Sequence, residues 1–149
     1  MITEWQPGKK TRPELHEMLD TISTTTARKD KIQLVKDFSQ YACFTDYIRC
    51  VFDSRIIFAL PQGRPPFEAS EEDRSPSSWH RQNKQLAYFV KGLKGDAMNP
   101  IKRENLFISL LESVDPRDAE HLIGMVSKKS TAKGLTEKLV REALPTLLS

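Results

Sequence analysis

The chain has 149 residues, the size of one domain able to bury a respectable core. Hydrophobic residues make up 38% of it and charged ones 29%, a balance ordinary for a globular protein. The formal charge of +3 is only mildly basic and compatible with a nucleic-acid partner without arguing for one, because charge must be clustered to act. Helix signals begin at about residue 13. Pro13 is predicted to be a first-turn proline, and Leu15, Met18, Leu19 and Ile22 follow it with three- and four-residue spacing. The Ser23–Thr26 run breaks this helix and is expected to cap the next, whose apolar stripe is Ile32, Leu34, Val35 and Phe38. A third helix is predicted from Tyr41 to Ser54, with Phe44, Tyr47, Ile48, Val51 and Phe52 on its apolar side.

Between Pro61 and Ser77 the sequence changes character. Pro61, Pro65, Pro66 and Pro76, with Gly63 and the acidic Glu71-Glu72-Asp73, predict a long irregular insertion, and Phe58–Leu60 before it is expected to pack on the core in extended form. Leu86, Phe89, Val90 and Leu93 predict a helix ending at Gly92 or Gly95. Asn99-Pro100 and Asp115-Pro116 each read as an N-cap followed by a first-position proline. They open helices carrying Leu106, Phe107, Leu110, Leu111 and Val114, then Leu122, Ile123, Met125 and Val126. Residues 127–135 are polar, basic and contain Gly134, and so read as a loop. Thr136 caps a last helix through Leu139, Val140, Ala143 and Leu144, which Pro145 terminates.

The fold class expected is all-α, a single-domain bundle of about six or seven helices. Leu19, Leu34, Phe44, Ile48, Val51, Phe89, Leu110, Ile123 and Leu139 are the expected core. Residues 1–12 form a tail ahead of one helical domain over 13–149, with the insertion at 61–77. No run approaches the roughly 20 apolar residues of a membrane span. The amino terminus, with Trp5 and Gln6 and no apolar run, does not read as a signal peptide, so the expected location is cytoplasmic.

Catalytic and metal chemistry find little support. His16, His80 and His121 lie on separate predicted helices, and no C-x-x-C or H-x-x-x-H spacing is present. Cys43 and Cys50, the two cysteines, are two helical turns apart, roughly 10 Å, beyond disulfide reach, and read as small buried residues. G-x-S-x-G, G-x-G-x-x-G and the phosphate-binding G-x-x-x-x-G-K-[ST] are all missing. Asp30, Asp37, Glu71 and Glu112 sit where solvated faces or loops would put them. The expectation is a protein without catalytic residues, metal, cofactor or small-molecule substrate.

One charge pattern stands out. Lys128, Lys129 and Lys133, then Gly134, Thr136, Lys138 and Arg141, place cations and free backbone N–H groups around a capped helix start, the arrangement that grips phosphate. Arg28, Lys29 and Lys31 form a smaller cluster at another helix start. The competing reading is a solvated helix-to-helix connection. On the tail, Trp5 stands free of any helical stripe, either as an anchor for a partner or as a cover for its own domain. Phe67, exposed-looking in the insertion, is a second candidate for partner binding.

Two stretches carry a resemblance. Thr24-Thr25-Thr26, the Lys31–Val35 segment, Phe44 to Phe52 with Arg49, and Ser54-Arg55 resemble the start of the amino-terminal DNA-binding domain of phage-type ATP-dependent DNA ligases. At the other end, Leu122–Val126, Lys133-Gly134-Leu135-Thr136 and Leu139–Leu144 before Pro145 are similar to the end of that domain, and also to a family of small proteins of T-even-like phages, including those of cyanobacteria. The middle, with its proline-rich insertion, departs from the ligase pattern. The adenylated lysine motif K-x-D-G is missing, since Lys94-Gly95-Asp96 is out of order.

The resemblance implies a phage accessory protein in the host cytoplasm that holds double-stranded DNA by its backbone, without reading sequence. The alternative is an adaptor that reuses the same scaffold to hold a phage or host protein.

Overall fold

The computed structural model describes residues 12–148, and seven α-helices account for its regular structure. They are α1 (Leu15–Thr24), α2 (Arg28–Phe38), α3 (Ala42–Phe52), α4 (Trp79–Gln82), α5 (Pro100–Ser113), α6 (Pro116–Val126) and α7 (Glu137–Ala143). Tight 3₁₀ turns over Asn83–Tyr88 and Lys94–Ala97 complete the middle of the chain. The fold is an all-α bundle. A single antiparallel bridge, Phe58 with Val90, is the only β pairing among the described residues.

Apolar faces decide the packing. α1 buries Leu15, Met18, Leu19 and Ile22 completely, and α3 does the same with Phe44, Tyr47 and Ile48. Against them come Leu122 and Met125 of α6 and Leu139 and Val140 of α7. Fully burying one such side chain stabilises by about 1.5–3 kcal/mol, so these faces dominate the energetics. α3 packs on α6, α2 on α7, and α1 on both α2 and α6. The first helices therefore close against the last. Trp79 plugs the bundle from α4, and its indole Nε1 donates to the Cys43 carbonyl at 2.8 Å.

The helix starts follow their cap chemistry. Asn99 Oδ1 accepts from the Ile101 N–H at 2.8 Å, Asp115 Oδ1 from Arg117 at 2.9 Å, and Thr136 Oγ1 from Leu139 at 3.2 Å. α1 begins differently. Glu14, not Pro13, is its N-cap, in a reciprocal capping box with Glu17, so Pro13 lies before the helix. A third carboxylate reaches this end from α6: fully buried Asp118 accepts the His16 N–H at 2.7 Å, 102 residues away in sequence.

Several expectations need correction. The Thr24–Thr26 run does not cap α2, whose N-cap is Ala27 without a side-chain bond. The Thr24 and Thr25 hydroxyls instead bond backward, to the Asp20 and Thr21 carbonyls at 3.0 and 2.7 Å, and so close α1. α3 stops at Phe52 because Asp53 turns extended, and its carboxylate takes the Arg55 N–H at 3.0 Å. Irregular chain thus runs from 53 to 78, longer than the predicted insertion. Leu34 and Ile123 are half-buried at the edge of the core. No α-helix covers 86–93. There the chain turns back so that Val90 pairs with Phe58, and Gly95 packs so close to the Tyr88 carbonyl that a Cβ would overlap it.

Candidate functional site

The connection 127–136 carries half of the predicted phosphate-contact residues, and it is anchored at four points. Lys128 adopts a left-handed backbone, φ 60°, and turns its side chain inward. Its ammonium donates to the Asp53 and Ile56 carbonyls at 2.9 Å each, and to the Cys50 carbonyl. Cys50 lies in the last turn of α3, whose carbonyls have no intrahelical partner and form the negative end of the helix dipole. Burial lowers the Lys128 pKa, opposed by the nearby Cys50 and Asp53. Lys128 was expected on an exposed phosphate-binding face. The structure corrects this: all three of its donors are spent on carbonyls, and it holds the connection to α3.

Thr131 is the second anchor. Its hydroxyl bonds to Tyr47 Oη at 3.1 Å and to His121 Nδ1. Its methyl group lies against Gly124, where an added Cβ would sit 2.6 Å from Thr131 Cγ2 and 3.3 Å from the Lys129 carbonyl. Only glycine lets the connection approach α6 this closely. Buried Ala132 and Leu135 supply an apolar plug, and the Thr136 cap begins α7.

The remaining cations stay outside. Lys129, Lys133 and Lys138 are exposed, as is Lys29 at the start of α2, while Lys31 is half-buried. α2 packs on α7, and the Lys31 ammonium rests so near Gly134, φ 81°, that a Cβ there would overlap it. The structure therefore brings the 28–31 cluster beside the 133–138 cluster. Arg28 and Arg141 are exposed but spent locally, on Glu142 and on Glu137 (2.9 Å). Among the described residues every salt bridge uses an arginine and none uses a lysine. The five lysines left unpaired here outnumber the whole chain's formal excess of +3. No aromatic residue occurs in 28–37 or 127–149.

Trp5 lies outside the described residues. Phe67 is half-buried against the core, with the Arg64 guanidinium 5.0 Å over its ring and Arg64 itself bonded to Glu120 at 2.6 Å, so it is not the exposed anchor expected. Among the described residues, the large apolar side chains that do face solvent are Ile57, Leu93 and Ile101. Ile57 and Ile101 gave no signal in the sequence, because an isolated apolar residue in a loop or first helical turn belongs to no stripe, and Leu93 was expected on the buried stripe of a helix over 86–93 that does not form.

The histidines serve packing. His80 Nε2 meets the Pro13 carbonyl at 2.7 Å, and burial depresses the His121 pKa to about 4. Cys43 and Cys50 are free and buried, which pushes both thiols up, Cys50 to about 12. No group of three or more His, Cys, Asp or Glu is placed to hold a metal among the described residues. No helix there is long and apolar enough to cross a membrane.

Sequence reasoning also missed the network around Asp115. This buried carboxylate caps α6, accepts the Asp73 N–H at 2.9 Å, and is bonded by Arg117, which reaches on to Asp73. Burial raises its pKa, but Arg117 and the two N–H groups outweigh that and hold the carboxyl well below the ordinary carboxylate range. The Asp-Pro dipeptide signals the cap. Nothing in sequence signals the strand of contacts to residue 73.

Residues 18–132 match the model of a family of unknown function (DUF6433), and the chain belongs to that family. The matched span holds Arg28, Lys29, Lys31, Lys128 and Lys129 and stops one residue before Lys133. No curated protein and no solved structure matches the chain.

Proposed function

We propose that this member of the DUF6433 family is a non-catalytic phage accessory protein that holds double-stranded DNA through its phosphate backbone, without reading sequence. The observation that carries the reading is the set of lysines without an acidic partner among the described residues, Lys29, Lys31, Lys129, Lys133 and Lys138, on α2, on α7 packed against it and on the connection before α7. Ammonium groups free of carboxylates gain the most from displacing the counterions condensed on DNA. A face without aromatic side chains lacks the stacking platforms that hold single strands, which favours a duplex. The resemblance of the 22–58 and 122–145 stretches to a ligase DNA-binding domain supports the same ligand.

Fluorescence anisotropy with duplexes of unrelated sequence tests the proposal. Affinity is expected to be equal across sequences and to fall with salt at a log–log slope of roughly −0.9 per phosphate neutralised. The combined change of Lys29, Lys133 and Lys138 to Glu abolishes the binding. Wild-type protein that leaves duplex DNA free at low salt overturns the reading.

A second reading, an adaptor for a phage or host protein, is favoured by a different observation. Ile57, Leu93 and Ile101 expose 54%, 54% and 68% of their surface. Scattered apolar residues are ordinary on a surface, so this reading needs a shaped site beside them.

A further inference from the structure

Residues 79–103 carry six cations, Arg81, Lys84, Lys91, Lys94, Lys102 and Arg103, against one acid, Asp96. That surplus is larger than the formal +3 of the whole chain. Arg103 is engaged inside, its guanidinium donating to the Ala59, Gly95 and Met98 carbonyls at 2.8–3.0 Å. The other five are exposed, and none meets a carboxylate among the described residues. Asp96 turns its carboxylate onto the Gly92 N–H at 2.8 Å.

The loop 91–99 and the start of α5 form one small lobe. The Asp96 N–H donates to the Leu93 carbonyl at 3.2 Å and the Met98 N–H to the Gly95 carbonyl at 3.1 Å, and Arg103 ties the loop to α5. Lys91 and Pro100, near the two ends of the loop, line the same hollow. The Lys94 ammonium lies 5.7 Å from the Tyr88 ring centroid, which joins the lobe to the 83–88 turn that carries Lys84. Leu93 and Ile101, two of the three large apolar side chains that face solvent among the described residues, belong to this lobe. Leu93 stands between Lys91 and Lys94, and Lys102 follows Ile101.

We propose that this lobe docks on an anionic lipid bilayer, lying on its surface without crossing it. The phosphate backbone of a nucleic acid attracts the cations but offers aliphatic side chains no apolar layer. An anionic bilayer suits both features, because its surface potential draws in lysines and the layer beneath the headgroups takes aliphatic groups. Leu93 and Ile101 are the side chains that enter that layer. The five exposed cations around them stay at the level of the lipid phosphates. The inference is independent of duplex binding and of the adaptor reading.

Co-sedimentation of the full chain with vesicles tests it, comparing phosphatidylglycerol mixed into phosphatidylcholine with phosphatidylcholine alone. The chain is expected to pellet with the anionic vesicles only, and less as salt is raised. Each cation at an anionic surface contributes about fivefold to partitioning, so Lys91, Lys94 and Lys102 changed together to Gln should weaken pelleting about a hundredfold. Leu93→Gln with Ile101→Gln should weaken it about tenfold, whereas Ile57→Gln, away from the lobe, leaves it unchanged. Lys29, Lys133 and Lys138 changed to Gln should alter it less than about threefold. Pelleting that is absent, or that ignores the Leu93 and Ile101 pair, overturns the proposal. So does pelleting that depends on Lys29, Lys133 and Lys138 instead of the lobe. If the lobe variants weaken duplex affinity as much as vesicle binding, the face belongs to nucleic acid and the proposal falls. Duplex affinity is otherwise expected to survive the Leu93 and Ile101 changes, so failure here and failure of DNA binding are read separately.

Discussion

The connection 53–78 is tied down by arginines and carboxylates, whereas the connection 127–136 is held by one inward lysine, the neutral contacts of Thr131, an apolar plug and the Thr136 cap, and leaves its other lysines in solvent. In the first, Arg64 meets Glu120, the Glu68 N–H meets Glu112 at 2.8 Å, and Asp73 meets both Asp115 and Arg117. The Ser77 N–H adds a bond to the Ser113 carbonyl at 2.8 Å. Charge here is neutralised within the chain. In the second, Lys128 alone turns inward, and Lys129 and Lys133 stay exposed without an acidic partner among the described residues. The difference teaches that a cation's partner, not its presence in a basic run, decides whether it serves folding or binding. A guanidinium can bridge several acceptors at once, which suits it to the first task.

The sharpest break of this comparison is Lys128→Met. If Lys128 is structural, its loss strands three carbonyls and lowers unfolding free energy by about 2 kcal/mol. Urea denaturation checks this, and a variant with unchanged stability but lost duplex binding would return Lys128 to the binding face. Gly124→Ala comes next. The new methyl meets Thr131 and the Lys129 carbonyl, and the strain is expected to cost about 1–2 kcal/mol. A denaturation midpoint equal to wild type would show that the connection can lift away freely.

Arg117→Met probes the other connection, with an expected loss of about 1 kcal/mol at neutral pH because the guanidinium is partly solvated. Its signature is in the pH dependence. The Asp115 carboxyl sits below its ordinary value when folded, so its contribution is complete above that value, and is lost as pH falls through the acid range. Removing Arg117 should flatten this acid limb. His121 adds a separate slope: burial lowers its pKa from 6.5 to about 4, so the unfolded chain binds the proton first and stability declines as pH falls across that window. Denaturation midpoints of wild type and His121→Asn, compared from pH 7 to 4, isolate the second slope. The smallest effect is expected for Lys29, Lys133 and Lys138 changed to Glu, within about 0.5 kcal/mol of wild-type stability although duplex binding is lost. A large destabilisation would mean that these lysines, too, serve the fold.

Much of the bundle was legible because its signals are local. Asn99-Pro100, Asp115-Pro116 and Thr136 cap the helices that their side chains imply, and the apolar spacing of α1 and α3 locates the core. The 86–93 segment misled because its apolar residues match a helical stripe, while the chain there obeys distant partners. Phe58 captures Val90, and the Arg103 guanidinium gathers the Ala59, Gly95 and Met98 carbonyls at 2.8–3.0 Å. Lys128 was illegible for the same reason, since the carbonyls that claim it lie 72 to 78 residues earlier. Phe67 looked like a surface anchor because a proline-rich context hides the Arg64 that covers it. Local grammar carried the helices. Which cations remain free depended on tertiary partners.

The carboxylate of Asp118 on the start of α1 has a consequence for biosynthesis. While the chain is on the ribosome, α1 and α2 emerge early, but the acceptor for the His16 N–H and the apolar faces of α6 and α7 emerge last. The nascent first helices therefore lack part of the cover of Leu15, Met18 and Ile22 until α6 and α7 follow, and such surface is prone to aggregate. Contacts between distant parts of the chain also slow folding. A nascent chain that stops before Asp118 leaves α1 and α2 without α6 and α7, the form in which a holdase chaperone would meet this protein.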